Sequence, residues 1–313
     1  MMKAVICTKY GPPEVLQLKE IEKPVPRKNE VLIKIKTTSV TASDCIVRGF
    51  KLPFWNPIGF LMGIVLGFKK PRNPILGMVL AGEIESVGKE VKLFQPGEKV
   101  IAWTVKSPVK INLGTYAEYK CLPEDSVITL KPENLSFEEA AAIPYGGLLA
   151  MHFIKNNKIQ KNQKVLIYGA SGSIGTSAVQ LAKYFGAEVT GVCSTTNLEL
   201  VKLLGADHVI DYTKENISNF DKQYNFILDA VGKRKSSDFK SQIKNVLAPK
   251  GKYISVDDGT PLATLENLKL LVRLAEEGKF YTVIDKTYPL EEIVEAHRYV
   301  DKGHKKGNVV VTL

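Results

Sequence analysis

The chain has 313 residues, 44% of them hydrophobic and 24% charged, and 43 basic against 33 acidic side chains leave a net charge of +10. These proportions exclude a disordered, collagen-like or low-complexity protein, and the length suits two domains whose cores need no disulfide or metal. The four cysteines, Cys7, Cys45, Cys121 and Cys193, form no CxxC pair or Cys/His cluster. That argues against a zinc ribbon or a secreted disulfide framework and fits a reducing compartment.

The opening residues lack the basic, apolar, small-residue order of a signal peptide. Residues 1 to 125 contain short β-like runs at Ala4–Cys7, Val31–Thr37, Gly82–Val87, Lys99–Trp103 and Tyr116–Cys121, broken by Gly and Pro, so a β-rich domain is expected. The apolar stretch Phe54–Phe68 holds Asn56, Pro57 and three glycines and is too short for a spanning helix. It is read as a buried or lid segment, with no membrane span.

Residues 126–265 alternate strand-like and helix-like segments. Strands are expected at Lys164–Tyr168, Glu188–Cys193, His208–Ile210, Asn225–Asp229 and Lys252–Val256, and helices at Ser173–Phe185, Leu198–Leu204 and Phe239–Leu247. Alternation with apolar strands predicts a parallel sheet covered on both faces. The tail, 266–313, brings a helix at Leu265–Glu277, a strand at Tyr281–Asp285, a helix at Leu290–Tyr299 and a strand at Asn308–Thr312. Its place after the α/β block suggests that it returns to complete the first domain.

The most informative segment is Lys164–Ser194, where an apolar strand runs into Gly169-Ala170-Ser171-Gly172-Ser173-Ile174-Gly175 and a helix follows at once. In a GxGxxG reading Gly172 and Gly175 take the second and third places and Ala170 the first. Gly172 would let the backbone approach a pyrophosphate, Gly175 would let helix and strand pack closely, and the helix N-terminus would face the phosphates. The next strand ends at Cys193, followed by Ser194-Thr195-Thr196-Asn197. A carboxylate there would bind a ribose 2′-hydroxyl; small hydroxyl and amide groups instead favour a 2′-phosphate, hence NADP(H) over NAD(H). The basic residues are spread along the chain, and the runs Lys233-Arg234-Lys235 and Lys302–Lys306 lack interleaved aromatics. No nucleic-acid partner is therefore expected, and an anionic small ligand suits the charge better.

The opening MKAVICTKYGPPEVLQLKE, SVTASDCIVRG at 39–49, PILGMVLAGEIESVGKEVKLFQPGEKV at 74–100, GTYAEYKCLPED at 114–125, LSFEEAAAIPYGGLLA at 135–150, LGADHVIDYTKE at 204–215 and the closing GNVVVTL join the glycine loop in a fixed order. In this order the chain resembles the medium-chain dehydrogenase/reductase superfamily, within it the zinc-free quinone oxidoreductase-like branch. The resemblance implies an α/β architecture: a GroES-like β-barrel catalytic domain (1–125 and 266–313) and an inserted Rossmann domain with a doubly wound parallel sheet (126–265), the active cleft lying between them. Zinc-dependent relatives place a cysteine before the aspartate that matches Asp44 and a Gly-His-Glu motif where Gly77-Met78-Val79 stands. With Thr41 and Met78 there, and no structural zinc lobe, no zinc is expected. What remains is hydride transfer from NADPH to a small quinone or to an α,β-unsaturated carbonyl.

The resemblance also assigns residues. Ser171, Gly172, Ser173 and Ile174 should line the pyrophosphate, and Ser194, Thr195, Asn197 and Tyr212 the 2′-phosphate. Ala230, Val231 and Gly232 should approach the ribose, and Val256, Asp257 and Asn308 the nicotinamide half. Pro144 and Gly147 occupy a helix-entry position near the nicotinamide, which a Pro–Gly cap would explain as well. Thr41 stands where relatives carry an asparagine and is the candidate contact for the carboxamide or a substrate carbonyl; a strand-end threonine is the plainer reading. Phe54 and Trp55 are expected to wall the substrate cleft. A cytoplasmic protein, a homodimer as in relatives, is expected. The alternatives are an NADPH-binding sensor or adaptor without turnover, and an alcohol dehydrogenase-like carbonyl reductase.

Overall fold

The computed structural model describes residues 1–50, 57–107, 110–217, 223–232, 237–258 and 261–313. Phe54, Trp55 and the Lys233–Lys235 run lie outside the described residues. The first half comprises β1 (Met2–Cys7), β2 (Leu16–Ile21), β3 (Glu30–Val40), α1 (Ala42–Arg48), α2 (Pro57–Leu66), β4 (Val79–Val87), β5 (Lys99–Trp103), β6 (Val105–Ser107), β7 (Lys110–Ile111), β8 (Tyr119–Pro123) and β9 (Val127–Leu130). α3 (Phe137–Asn156) leads into β10 (Lys164–Tyr168), α4 (Ser173–Tyr184), β11 (Glu188–Cys193), α5 (Leu198–Leu203), β12 (His208–Asp211), β13 (Tyr224–Asp229), α6 (Asp238–Gln242) and β14 (Leu247–Ser255). α7 (Leu265–Glu276), β15 (Ile284–Pro289), α8 (Ile293–Asp301) and β16 (Asn308–Thr312) close the chain.

Two sheets organise these elements. The larger runs β15-β16-β3-β4-β5-β9, with β8 also paired to β3. β3 is its hub because Val31, Leu32, Ile33, Ile35 and Val40 are all buried, so this strand is covered on both faces. β16 pairs antiparallel with β3, Val309 opposite Val40, so the last strand of the tail lies in the sheet of the first-half strands. β9 lies in this same sheet, against β5. β9 thus stays in the barrel sheet, past the crossing expected at 125, and Val127 and Ile128, on opposite faces of the strand, are both buried, in separate core clusters.

The second sheet is parallel throughout, in the order β12-β11-β10-β13-β14. From β10 the chain winds outward through β11 and β12, then crosses to β13 and β14 on the other side of β10. In sheets of this kind ligands enter a crevice at that switch, outside the carboxyl ends of the strands. Two segments differ from expectation. The helix foreseen over Phe239–Leu247 is α6 plus a tight turn, and β14 starts at Leu247, five positions before Lys252, with an irregular register near Lys250, whose φ is +65°. The strand foreseen at Tyr281–Asp285 begins at Ile284, because Tyr281 is engaged elsewhere: its N–H donates to Gln180 Oε1 (2.7 Å) and its carbonyl accepts from Gln180 Nε2 (2.9 Å).

α3 joins the two halves. Ser136 and Glu139 form a reciprocal cap at its start, and the helix packs on α4 and α7 on one side and on β3, β4, β5 and β16 on the other. Among the described residues no helix is long and apolar enough to cross a membrane.

Candidate active site

Helix α4 begins at the switch point. Gly169 turns the chain out of β10 with φ +79°, a left-handed conformation that favours glycine. The N–H groups of Gly169 and Ala170 both donate to Val192 O (3.0 Å), which pins the turn to β11. Gly175 has no space for a side chain, since a Cβ there would run into Gly169 O and lie 2.8 Å from Ala170 C. Gly172 is different: its φ of −78° suits any residue, and a Cβ would meet nothing nearer than Gly169 O at 3.5 Å. The protein itself does not demand glycine at 172.

α1, α3, α6 and α7 each start under a side-chain cap, from Thr41, Ser136, Ser237 and Thr264. α4 starts at Gly172 with none, as do α5 and α8. Its first N–H groups and positive dipole end face the crevice, an arrangement suited to a phosphate.

The neighbouring loops converge there. Val231 and Gly232 donate their N–H groups to Asp229 Oδ1 (3.1 and 3.2 Å), and Val231 rests on Gly169 so closely that a Cβ on the glycine would overlap it. Val256 N–H donates to Asp229 O (3.0 Å), which brings Val256 and Asp257 to the same edge. Gly307 N–H donates to Ser171 O (2.8 Å), and Ser173 Oγ donates to Asn308 Oδ1 (2.6 Å). These bonds tie the nose of α4 to the barrel and bring Ser171, Ser173 and Asn308 together. They also occupy the Ser173 hydroxyl proton. Ile174 lies in the first turn of α4 and is half-buried.

At the end of β11, several expected donors are already engaged. The Thr195 hydroxyl donates to Asp211 Oδ2 and the Thr213 hydroxyl to Asp211 Oδ1 (2.6 Å). Asn197 Nδ2 donates to Ser171 Oγ (3.2 Å) and Ser194 Oγ (3.1 Å). Asn197 Oδ1 is buried without a partner, an acceptor that a ribose hydroxyl would satisfy. Asp211 is a carboxylate one strand further on than the position the cofactor rule inspects. Tyr212 is 38% exposed, its ring edge-on to Tyr168 at 6.1 Å.

Two expectations on the barrel side change. Pro144 and Gly147 form neither a helix entry nor a cap: both lie inside α3, which begins at Phe137. A Cβ on Gly147 would press on Leu271 of α7 at 2.9 Å, whereas one on Gly146 would overlap Ser173. Gly146 is therefore the residue that lets α3 touch the nose of α4. The Thr41 hydroxyl donates to Asp44 Oδ2 (2.6 Å) and accepts from Asp44 N–H (3.2 Å) as the N-cap of α1. It has no proton left for a substrate carbonyl.

Two other hydroxyls beside α1, those of Ser43 and Tyr145, lie 3.1 Å apart. Tyr145 adjoins Gly146 and is 6% exposed; its ring lies 6.0 Å from that of Trp103, and burial pushes its phenol up to about 12. It remains protonated at any physiological pH. Lys305 is a second residue that the sequence did not single out. Its ammonium donates to Gly307 O, beside Ser171, and burial draws it down to about 8. Where zinc-dependent relatives carry ligands, Thr41, Met78 and Val79 present one engaged hydroxyl, a thioether and an alkyl group. That donor set does not fit zinc, and no cluster of three His, Cys, Asp or Glu occurs among the described residues.

Comparison with known proteins decides the lineage. Residues 27–132 match the family described as alcohol dehydrogenase GroES-like domain, and residues 173–274 and 260–311 match zinc-binding dehydrogenase families. The chain is 32% identical to the chloroplast envelope quinone oxidoreductase homolog of Arabidopsis thaliana, over 99% of this chain and 98% of that protein. It belongs to the medium-chain dehydrogenase/reductase superfamily, in the quinone oxidoreductase-like branch. A second member, the 2-methylene-furan-3-one reductase of Solanum lycopersicum, is 31% identical over 99% of this chain and 79% of that protein. The quinone oxidoreductase structure from Coxiella burnetii superposes with a TM-score of 0.87 at 28% identity, covering 100% of this chain and 99% of that one. The medium-chain fold thus accounts for the barrel and the inserted parallel sheet, and the chain is an oxidoreductase of that family.

Proposed function

We propose that the protein is a zinc-independent, NADPH-preferring reductase of quinones or α,β-unsaturated carbonyls. The observation that carries this reading is an uncapped glycine-led helix together with a barrel side that offers the neutral Ser43–Tyr145 hydroxyl pair and, at the zinc-ligand positions, only Thr41, Met78 and Val79. The relatives named as quinone oxidoreductase, furanone reductase and NADPH-dependent alkenal/one oxidoreductase support the acceptor class and the cofactor.

When bound, the dinucleotide supplies a hydride. The chain's own residues do the rest. The first N–H groups of α4 hold the diphosphate, with the Lys305 ammonium behind Gly307 adding positive charge. The loop Ala230–Gly232 supports the ribose, and Asn197 Oδ1 accepts from one of its hydroxyls. Without a Lewis acid, the negative charge that develops on the acceptor oxygen needs hydrogen-bond donors. Ser43 is half-buried and bonded to Tyr145, so it can donate to that oxygen while Tyr145 donates to Ser43. The acceptor gains one hydride and one proton, and the proton reaches it through this pair.

The test is NADPH oxidation assayed over a panel of quinones and enones. Turnover with at least one class, slower with NADH, is expected. NADPH binding without turnover on any acceptor would favour the sensor reading.

A further inference from the structure

Helix α2 carries one apolar face too many. Its inner side belongs to the barrel: Leu66 is 6% exposed in the main core, Met62 and Val65 pack against it, and the Tyr10 hydroxyl donates to Leu66 O (3.0 Å) and Gly67 O (2.9 Å). On the other side Phe60 is 52% exposed, Leu61 53%, Ile64 42% and Phe68 38%. The helical spacing i, i+1 and i+4 keeps Phe60, Leu61 and Ile64 on one surface, and the Phe68 ring, just beyond the end of the helix, lies against Phe60. The Phe60 and Phe68 rings lie 5.6 Å apart, and Gly63 makes room for the Phe68 ring, since a Cβ there would come within 2.5 Å of its Cε1.

Charge next to this face has one sign. Lys69, Lys70 and Arg72 follow Phe68 and are exposed, without an ion pair among the described residues. No Asp or Glu occurs between Asp44 and Glu83, and the whole chain carries +10. Between Pro57 and Phe68 no side chain bears a hydrogen-bonding group. A protein partner is normally oriented by hydrogen bonds spread over its interface. An apolar face without them, bordered by cations, instead complements a phase that is apolar inside and anionic at its surface.

We propose that the outer face of α2 docks the protein on anionic lipid bilayers. The helix lies in the interfacial plane with Phe60, Leu61, Ile64 and Phe68 inserted among the acyl chains, while Lys69, Lys70 and Arg72 meet the lipid phosphates. The inference is independent of the acceptor chemistry.

Co-sedimentation of the full chain with vesicles tests it, using phosphatidylcholine alone and phosphatidylcholine with about one third phosphatidylserine, at low and physiological salt. Binding to the anionic vesicles at physiological salt is expected, with little to the neutral ones. The exposed double variant Phe60→Ser/Leu61→Ser should lower the partition coefficient at least about tenfold. Lys69→Gln/Lys70→Gln should lower it about tenfold and flatten its salt dependence. Thermal denaturation checks that each variant is folded. No binding at physiological salt overturns the proposal. Binding that Phe60→Ser/Leu61→Ser leaves unchanged overturns it too, because that is adsorption of a basic protein alone. So does a wild-type dimer by light scattering that this double variant converts to monomer, since a second copy would then cover the face.

Discussion

Replacing Gly172 by alanine separates a nucleotide-binding turn from a merely structural one. The backbone at 172 has φ −78° and ψ 174°, which alanine adopts freely, and the nearest atom to the new Cβ is Gly169 O at 3.5 Å. Alanine is a poorer N-cap than glycine, but it reduces the freedom of the unfolded chain, so the two effects offset to within about 1 kcal/mol. The methyl group would nonetheless stand at the mouth of α4, where a diphosphate must approach the bare N–H groups. Losing one such charge-assisted hydrogen bond costs about 1.5–3 kcal/mol, which is about a tenfold to hundredfold rise in the NADPH dissociation constant. Nicotinamide fluorescence titration gives that constant, and thermal denaturation gives the stability. Gly175→Ala is the contrasting variant: its Cβ would strike the backbone at Gly169 and Ala170, so stability itself should fall. Unchanged NADPH affinity in a stable Gly172→Ala protein would refute the reasoning.

Three other substitutions probe the rest of the site. Tyr145→Phe removes the phenol that backs Ser43, and kcat with an enone acceptor should fall about tenfold to hundredfold while NADPH affinity stays the same; an unchanged kcat would make the pair structural. Asp211→Asn removes the carboxylate held by Thr195 and Thr213, and the ratio of NADPH to NADH affinity should rise about fivefold, the size of a partly screened charge interaction; a fall in that ratio would mean that Asp211 positions the phosphate donors. His297→Gln tests the buried cluster behind α1. Burial and the Arg48 charge hold the His297 imidazole down to about 3, so the unfolded chain takes up its proton first and acid favours unfolding below about pH 6.5. The Asp44 carboxyl, pushed up to about 6 by burial, acts oppositely: the folded chain takes up that proton first, so acid favours folding between about pH 6 and 4. The two trends offset each other in the wild type. With His297 replaced, the melting temperature should rise as pH falls from 7 to 5; a profile that still falls with acid would contradict both assignments.

The first four strands of the parallel sheet were legible, because buried parallel strands are continuous apolar runs. β10 and β11 have the bounds that hydrophobic patterning predicts, as does β16 in the barrel sheet. The glycine loop was legible too, because the turn at Gly169 and the close packing at Gly175 each demand glycine. What escaped the sequence was where protons go. Thr41 and Thr195 have the right chemistry at the right place, yet each spends its hydroxyl on a carboxylate, Asp44 or Asp211. Ser43 and Tyr145 are 102 positions apart, and only the packing of α3 against the barrel brings them together. Pro144 misled as a helix signal because α3 tolerates it in its interior, where Gly146 and Gly147 make the close contacts. β9 followed the barrel rather than the composition shift near 125, since pairing with β5, not local texture, decides its domain.

The central claim is that a hydroxyl pair rather than a metal serves the acceptor oxygen in an NADPH-dependent reduction. The most direct measurement is the steady-state rate of NADPH oxidation with a simple quinone and a simple enone, before and after exhaustive chelation, with zinc content determined on the same samples. The account predicts turnover with at least one acceptor, undiminished by chelation and without stoichiometric zinc. Stoichiometric zinc whose removal abolishes turnover, or no turnover on any acceptor, would contradict it.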